Sequence, residues 1–393
     1  MSTTLLGRPG TADDALAGLT PTEVVRPADA QEVVAVLRQA QRDRRSVLAV
    51  GGRTKTGWAP PPSSADLVID TTGLDRIVEH TAGDLVVVAE AGVRLETLQD
   101  QLGSAGQWLA LDPPEQGATL GGIMSANASG PRRLRYGTVR DLLIGCTVVL
   151  ADGTLAHAGG KVVKNVAGYD LGKLYTGAHG TLGVVVSTTW RLHPVAPARR
   201  VVVLDLPDPL AAGPLAVAVA RSTLTPSAVE LQATTGGSGV LVLVFEAIAE
   251  SVTSQADAAV TVLGGGVQTD ELPAGFGARP GGVDHLVLRL AYAPAALPTV
   301  LAALPVGTDV TASAGTGVAY AALPAEQVGA LPALREALRP HDGTAAVLSA
   351  PLAARAGLDH WGPVGDSLEL MRRVKDRFDP ERRMAPGRFV GGI

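Results

Sequence analysis

A glycine-rich turn near the start of the chain has the residue types that bind an anion. The apolar run Ser46–Val50 predicts a short buried strand, and the turn GGRTKTG follows it at Gly51–Gly57. A glycine turn that leaves a strand can direct several backbone N–H groups at one anion, and Arg and Lys side chains add positive charge. It is not a P-loop, because Trp58 stands where that motif has its lysine. Taken alone, a plain surface turn is the simpler interpretation.

A second stretch, Asp112–Asp141, concentrates Gly, Ala and Ser beside a cluster of arginines. It reads DPPEQGATLGGIMSANASGPRRLRYGTVRD. Small residues at this density indicate that the backbone comes close to something bulky. The pair Pro113-Pro114 predicts an extended approach, and a short helix is predicted from Thr119 to Asn127. The first N–H groups of that helix are free to bind phosphate or flavin oxygens.

Two further glycine-rich loops follow, GGKVVKNVAGYDLGK at Gly159–Lys173 and GAHGTLG at 177–183. The first is predicted to pass into a short helix at Leu171–Tyr175, with Asp170 as its N-cap and Tyr169 packed on the fold. The second is predicted to lead into a strand that ends at Leu192. Within it, His179 is interpreted as a solvent-facing loop residue.

The elements that must position these loops do not alternate regularly. An amphipathic helix is predicted after Asp29, its N-cap, with Glu32 as the capping-box partner. Strands are predicted at 67–70, 73–78, 85–89 and 142–150, and a helix at 94–102. This order is typical of an α+β fold. No Gly-x-Gly-x-x-Gly links a strand to a helix, which argues against a Rossmann dinucleotide site.

The second half becomes rich in Ala, Leu, Val and Pro from Arg199 onward. Strands are predicted at 201–206, 228–233, 239–246, 284–292, 317–323 and 343–348, and helices at 210–221, 247–263, 297–304 and 326–338. This order predicts two ferredoxin-like units that form one antiparallel sheet. An amphipathic helix is predicted at Val364–Phe378.

Composition limits the class of protein. A chain of 393 residues predicts more than one domain. Its net charge of -5 argues against a nucleic-acid partner, and its single cysteine excludes an intramolecular disulfide framework and a Cys-ligated iron–sulfur cluster. No signal pattern and no apolar run of spanning length are present, so we expect a cytoplasmic location, where any membrane association would come through partner subunits.

The four glycine-rich segments, in this order and spacing, resemble the FAD-binding domain of vanillyl-alcohol-oxidase-type (PCMH-type) flavoproteins. The GPRR and GGKVVKNVAGYDL segments resemble the GlcE-type subunit of bacterial glycolate oxidase. The resemblance covers about Thr20–Pro194 and resumes at FDPERRMAPGRF near the C-terminus, where Ala385 replaces the usual Asn. It implies a two-subdomain α+β FAD-binding domain at residues 1–196, a ferredoxin-like α+β cap domain at 197–341, and a C-terminal segment at 342–393 that returns to the flavin.

The resemblance also implies where FAD lies. The pyrophosphate would contact the first glycine turn and the segment after Pro113, and the flavin ring would pack against Gly121–Gly130. Some relatives attach FAD to a histidine of the first loop, where this chain has Arg53, so non-covalent FAD is expected. The residues implied at the cofactor are Gly51, Gly52, Arg53, Thr54, Lys55, Thr56, Pro113, Pro114, Thr119, Leu120, Gly121, Gly122, Ala126, Asn127, Ser129, Gly130, Arg135, Tyr136, Gly137, Gly177, Gly180, Thr181, Gly183 and Val184.

The substrate side is less defined. Relatives that oxidise α-hydroxyacids usually carry histidine-rich segments in the cap, whereas residues 199–340 contain only His285, interpreted as a core histidine. No His/Asp/Glu cluster has metal-ligand spacing, and no residue is assigned as the catalytic base.

The preferred hypothesis is a flavoprotein subunit of a glycolate (2-hydroxyacid) dehydrogenase complex that passes electrons to a partner flavoprotein or iron–sulfur subunit. The alternatives are a self-sufficient FAD oxidoreductase acting on another hydroxyacid or alcohol, such as D-lactate, and a scaffold subunit whose flavin is only structural.

Overall fold

The computed structural model describes residues 7–161, 169–355 and 357–393. Residues 162–168 of the glycine-rich loop Gly159–Lys173, including Lys164 and Asn165, therefore lie outside the described residues. Within the described ranges the long strands form sheets of four, five and eight strands. None of the described helices is long and apolar enough to cross a bilayer.

The first sheet is mixed and contains the strand that precedes the first glycine turn. Its strands are, in spatial order, Arg8–Pro9, Glu23–Val25, Leu67–Asp70 and Val47–Val50. The last three pair in parallel. The predicted helix spans Ala30–Arg42, and the carboxylate of its N-cap Asp29 accepts the N–H groups of Gln31 and Glu32. The Glu32 carboxylate accepts the N–H of Ala28 instead of that of the cap, one residue from the predicted capping box.

The second sheet is antiparallel and holds the remaining glycine segments. Its strands are, in spatial order, Ile77–Thr81, Val86–Glu90, Val184–Arg191, Leu143–Val149 and Leu155–Gly159. The predicted strand at 73–78 is displaced, because Thr71–Gly73 form a 3-10 turn capped by Asp70. The helices of this region are Leu95–Gly103, Leu120–Ala126, Arg133–Tyr136, Val139–Leu142 and Leu171–Tyr175. A small ribbon pairs Gln107–Trp108 with His193–Pro194.

The eight-stranded sheet is antiparallel throughout, as the sequence predicts. Its strands are, in spatial order, Val267–Thr269, Ala198–Leu206, Gly239–Ala247, Ala228–Thr234, Asp309–Ser313, Val318–Pro324, His285–Ala291 and Thr344–Ser349. Each half follows the order strand, helix, strand, strand, helix, strand, which is the ferredoxin-like arrangement. The helices are Ala212–Arg221, Ala249–Leu263, Leu297–Ala303 and Leu331–Leu338. The strands at 267–269 and 309–313 were missed by the sequence prediction.

The largest apolar core of the eight-stranded sheet lies on one face, and smaller apolar clusters lie on the other face. Residues such as Leu231, Leu243 and Leu288 point to that face and pack with the four helices. Because side chains alternate along a strand, their neighbours point to the opposite face, which carries Glu230, Tyr320 and Arg289. Polar residues on this second face lie next to the glycine-rich stretch around Arg132 and Arg133.

The C-terminal helix spans Ser367–Phe378, and the tail after it joins the first sheet. Met384 pairs in parallel with Val47, and the backbone of Val47 bonds to Arg383 and Ala385. Met384 is fully buried in the core shared by the first two sheets. The tail therefore lies beside the strand from which the first glycine turn emerges.

Candidate functional site

One cleft collects three of the glycine-rich segments and the tail. It holds about 860 Å³ of empty space, including the solvent at its open mouth. Of the residues predicted at the cofactor, those that line it are Gly51, Gly52, Arg53, Thr54, Lys55, Thr56, Thr119, Gly121, Gly122, Ala126, Gly180 and Gly183. Lining residues that the sequence prediction did not include are Leu16, Leu48, Ala49, Val50, Thr71, Ser125, His179, Val185, Ala385 and Arg388.

The first glycine turn can reach this position only because Gly51 and Gly52 have no side chains. A Cβ on Gly52 would lie 1.9 Å from the carbonyl oxygen of Gly117, and a Cβ on Gly51 would lie 2.1 Å from Thr119 Oγ1. A Cβ on Gly121 would lie 2.8 Å from the Cβ of Ala91. These contacts bring the first turn and the start of the helix Leu120–Ala126 together on one wall of the cleft.

The predicted short helix spans Leu120–Ala126 and has a cap at each end. Thr119 Oγ1 accepts the N–H of Gly122 at 3.4 Å, and Asn127 ends the helix in the left-handed conformation with φ of 48°. The buried Asn127 Oδ1 and Ser129 Oγ have no hydrogen-bond partner in the described part of the chain. A buried polar atom without a partner costs stability, so these two atoms indicate that the segment is built to meet another group.

The charges at the cleft are positive. Lys55, Arg53 and Arg388 line it, and no Asp or Glu does so among the described residues. Arg53 is paired with the buried Asp14 at 3.2 Å, and Lys55 Nζ lies 3.5 Å from Glu115. Burial lowers the pKa of Arg388 to about 10, and the charge of Arg355 acts in the same direction. At neutral pH Arg388 remains a buried cation, which favours an anionic ligand.

Arg388 also fixes the first glycine turn. Its guanidinium donates to the carbonyl oxygens of Thr56 at 3.2 Å and Trp58 at 2.5 Å. Arg388 follows Met384 in the C-terminal tail. Its hydrogen bond to Thr56 joins residues 332 positions apart, so the tail helps to fix the conformation of the first glycine turn. Ala385 lines the cleft beside it with φ of 41°.

The interpretation of His179 as a solvent-facing residue is wrong. His179 lines the cleft, and its ring lies 5.4 Å from that of Trp361 and 6.1 Å from that of Phe389. Burial, with the charge of Arg388, lowers the pKa of His179 to about 3, so the ring is neutral at physiological pH. The sequence could not indicate this, because the residues that cover His179 come from the C-terminal segment. Asp170 is the N-cap of Leu171–Tyr175, as predicted.

The prediction that Tyr169 packs on the fold is also wrong, since its side chain is 96% exposed. His285 lies half-buried at the first residue of its strand and accepts the N–H of Gly282, so it is at the end of the strand and not in the core. Among the described residues, no group of three or more His, Cys, Asp or Glu side chains could hold a metal ion.

Other predicted site residues do not line the cleft. Leu120 and Val184 are buried in apolar cores, and Thr181 donates to the carbonyl of Ala178. Arg135 donates to the backbone of Glu246 in the eight-stranded sheet, and Tyr136 packs edge-on against Trp108. The remaining members of this set are Pro113, Pro114, Asn127, Ser129, Gly130, Gly137 and Gly177.

The arginine cluster after Gly130 faces the polar side of the eight-stranded sheet. Arg132 forms a salt bridge with Glu246 at 2.7 Å, and Arg133 Nη2 lies 3.5 Å from the hydroxyl of Tyr320. Burial raises the pKa of the neighbouring Glu230 to about 8. The interface between the glycine-rich stretch and this sheet is therefore buried and strongly polar. The sequence analysis did not predict this interface.

Comparison with known families identifies the type of cleft. Residues 21–159 match the family model described as FAD binding domain, and residues 358–389 match the one described as FAD linked oxidases, C-terminal domain. The protein is therefore a flavoprotein whose cofactor is FAD. More particularly, these two ranges match the FAD-binding and C-terminal domain models of FAD-linked oxidases, in agreement with that part of the resemblance.

Individual relatives agree on the flavoprotein class but differ in name. The chain is 36% identical over 186 residues to a D-lactate dehydrogenase of Archaeoglobus fulgidus, which covers 47% of this chain and 41% of that protein. It is 35% identical over 166 residues to the glycolate oxidase subunit GlcE of Escherichia coli, covering 42% and 47%. The matches thus span less than half of each relative. An alkyldihydroxyacetonephosphate synthase structure has the same fold, with a TM-score of 0.71, 14% identity, and coverage of 94% of this chain and 78% of that one.

The residues of the cleft fit FAD. The glycine walls allow close approach of a large flat group, and the buried cations suit the two negative charges of a pyrophosphate. Lys55 and Arg388 are the cations that would face the pyrophosphate. The unpartnered atoms of Asn127 and Ser129 lie just after the helix Leu120–Ala126.

Proposed function

We propose that this protein is an FAD-dependent oxidoreductase that acts on 2-hydroxyacids and serves as the flavoprotein subunit of a glycolate-type dehydrogenase complex. The observation that carries the proposal is the cationic glycine-lined cleft in a chain with the domains of FAD-linked oxidases. The names of the relatives supply the substrate class, since they include a D-lactate dehydrogenase and a glycolate oxidase subunit.

In this proposal FAD binds non-covalently in the cleft. The turn Gly51–Thr56 and Arg388 hold the pyrophosphate, and Gly121, Gly122 and Gly180 make room for the flavin. The predicted positions outside the cleft, such as Pro113 and Gly177, remain predictions for parts of the cofactor that extend beyond it. Residues 1–196, 197–341 and 342–393 are the corresponding FAD-binding domain, cap and tail.

Bound FAD would accept the two electrons that leave the carbon bearing the hydroxyl group. The protein's own contributions are binding and orientation, because the described residues of the cleft include no carboxylate and a single histidine, His179, which burial keeps neutral. A neutral imidazole has a free nitrogen that can accept a proton, but the low pKa makes it a poor base. No catalytic base is therefore assigned to the cleft.

One relative is named as a subunit of glycolate oxidase, and this name supports the proposal that the protein acts with partner subunits. With a single buried cysteine, Cys146, the chain has no thiolate set for a cluster. We therefore propose that electrons pass to a separate protein, either a second flavoprotein or an iron–sulfur subunit.

Anaerobic spectroscopy tests the proposal. The purified chain is expected to contain bound FAD, which denaturation alone should release because the cofactor is non-covalent. Glycolate or D-lactate is expected to bleach the bound flavin when co-purifying partners are present. Absence of bound FAD, or a flavin that no 2-hydroxyacid reduces with or without partners, would overturn it.

The same measurement separates a second candidate, a self-sufficient oxidoreductase for another hydroxyacid such as D-lactate. The similarity to a D-lactate dehydrogenase favours this candidate as much as the similarity to GlcE favours the first. Bleaching by D-lactate with the isolated chain selects it, whereas a requirement for co-purified partners selects the complex.

A further inference from the structure

A second pocket adjoins the FAD cleft and has its own chemical character. It lies between the end of the first glycine turn, the loop at 279–283 and the segment 348–355, with about 960 Å³ of empty space including its open mouth. Thr54 lines both this pocket and the cleft. Trp58 lines the second pocket, and its carbonyl oxygen accepts from Arg388 of the cleft. The first glycine turn therefore forms part of the wall of both spaces.

The charged residues of the second pocket are both arginines. Arg279 and Arg355 line it, and no Asp or Glu does so among the described residues. The carboxylate nearest to Arg279 is Glu115, which is shared between Arg279 and Lys55. Arg279 and Lys55 thus share one carboxylate, and Arg355 forms no salt bridge with the described residues. The excess positive charge favours an anion in this pocket.

Arg279 is held rigidly in place. Its guanidinium lies 3.9 Å from the ring centre of Tyr320 and 4.9 Å from that of Trp58, and its Nε donates to Glu115. Only 14% of its side chain is exposed, and Nη2 has no hydrogen-bond partner in the described part of the chain. A guanidinium fixed in this way in the wall of a pocket is preorganised to bind a carboxylate.

Arg355 lies on the other side of the pocket. Its Nε donates to the carbonyl of Ala350 at 2.7 Å, and its Nη2 lies 3.3 Å from the position of a Cβ on Gly57. Burial lowers the pKa of Arg355, so its charge is partly removed from water and has more to gain from an anionic partner. Its Nη groups make no hydrogen bond within the described residues.

The rest of the pocket wall is apolar. Trp58, Val287 and Leu348 form one packed cluster with Tyr320, and Leu352 and Val283 stand at the mouth with 60% and 88% of their surface exposed. Exposed large apolar side chains beside a pocket are typical of a ligand surface. Glycolate, which has no side chain on its 2-carbon, would leave this wall uncovered.

We infer that the second pocket binds the carboxylate of the substrate through Arg279 and Arg355, and that its apolar wall accommodates an alkyl side chain. The inference rests on the proposed function, because it names the site and the substrate type for that reaction. It predicts a preference for 2-hydroxyacids with an apolar side chain over glycolate.

Binding of unreactive carboxylates tests the inference without any turnover. The FAD-loaded full-length chain is titrated calorimetrically with acetate, hexanoate, hexylamine and inorganic phosphate, and the flavin absorption spectrum is followed in parallel. Hexanoate is expected to bind at least tenfold more tightly than acetate, since each buried methylene contributes about fourfold. Hexylamine is expected not to bind. Phosphate that binds as tightly as hexanoate would reduce the pocket to a general anion site and overturn the inference.

Matched variants locate the binding. Arg355→Gln is expected to weaken hexanoate binding about tenfold or more, because a charge-assisted hydrogen bond is lost. Leu352→Gln is expected to weaken hexanoate but not acetate. The controls are Arg339→Gln, an exposed arginine paired with Glu336, and Leu370→Gln, an exposed leucine of the C-terminal helix; neither lines the pocket.

The outcomes distinguish this inference from the proposed function. Unchanged hexanoate affinity in both Arg355→Gln and Leu352→Gln overturns the pocket, even if hydroxyacids reduce the flavin. Conversely, the expected affinity pattern together with a flavin that no hydroxyacid reduces retains the carboxylate pocket and rejects the proposed reaction.

Discussion

Lys375 and Asp379 form a buried ion pair, with 2.7 Å between Nζ and Oδ2 and side chains that are 1% and 0% exposed. The ammonium also donates to the carbonyl oxygens of Thr181 and Met384, and the carboxylate accepts the N–H of Met384. One pair thus connects the C-terminal helix, the last glycine-rich segment and the tail. It positions the tail from which Arg388 reaches the first glycine turn.

Lys375→Met is expected to destabilise the protein by about 3–5 kcal/mol, because Asp379 remains buried without its partner. FAD content is expected to fall as well, since the tail is released from the cleft. Urea unfolding and the flavin-to-protein absorbance ratio measure the two effects. Arg382→Gln is the matched control, because its pair with Asp376 is half-exposed and contributes about 0–1 kcal/mol. Equal stability of the two variants would contradict the role of the buried pair.

Gly52→Ala is expected to abolish FAD binding. Its Cβ would meet the backbone oxygen of Gly117 at 1.9 Å, and a backbone atom cannot rotate away. The turn must then move from the cleft wall, at a cost of about 1–3 kcal/mol or more. Gly83→Ala is the control, because no atom lies within 4 Å of the added Cβ. Fluorescence of flavin released from each purified variant gives the FAD content, and full occupancy in Gly52→Ala would contradict the packing argument.

Tyr320 is expected to ionise near neutral pH. Burial alone would raise its pKa, but the charges of Arg279, Arg133 and Arg289 outweigh burial and lower the pKa to about 7. Ultraviolet difference absorbance during a pH titration should therefore show one of the five tyrosines ionising about three pH units early. This step should be missing in Tyr320→Phe and present in Tyr136→Phe.

The same ionisation affects stability with a defined sign. The folded-state pKa of Tyr320 is below its unfolded value, so the stabilisation is present above the unfolded pKa and is lost as pH falls through about 7. Tyr320→Phe should therefore lose more stability relative to the natural protein at about pH 9 than at about pH 6. An identical loss at both pH values would show that Tyr320 stays protonated.

The sequence predicted the local elements of the site better than its long-range contacts. The caps Asp29 and Asp170 could be found because a helix N-cap depends on residues two or three positions away. The antiparallel arrangement of the second half followed from its element order. Edge and short strands such as Val267–Thr269 have too few residues for an alternation to be recognised.

Residues that reach the site across the chain could not be predicted in this way. Arg388 and His179 enter the cleft because the tail pairs with Val47, and no local pattern encodes that pairing. Arg279 lies in a loop for which the sequence analysis predicted no site, and its partners Glu115 and Trp58 come from the first third of the chain. Such contacts depend on how the sheets pack against one another, and the spacing of residues along the sequence does not determine that packing.

Glu230 is expected to be protonated at neutral pH. It lies on the polar face of the eight-stranded sheet, 2% exposed, and its Oε1 has no hydrogen-bond partner in the described part of the chain. Burial raises its pKa to about 8, although the hydroxyl of Ser313 and the charge of Arg133 act in the opposite direction. Infrared absorption of a protonated carboxyl at about pH 6, absent in Glu230→Gln, would report this state directly.

The raised pKa of Glu230 makes the protein less stable as pH increases. Because the folded state holds the proton more tightly than the unfolded state, the stabilisation is complete below the unfolded pKa and is lost as pH rises through about 8. Glu230→Gln keeps the shape of the neutral carboxyl and removes the titration. It should match the natural protein at about pH 5 and exceed its stability by a few kcal/mol at about pH 9. Glu326→Gln, in an exposed 3-10 turn, is the control and should change neither value. A Glu230→Gln variant that is no more stable at high pH would mean that Arg133 keeps the carboxylate ionised, so that this face of the sheet holds a charge pair instead of a neutral acid.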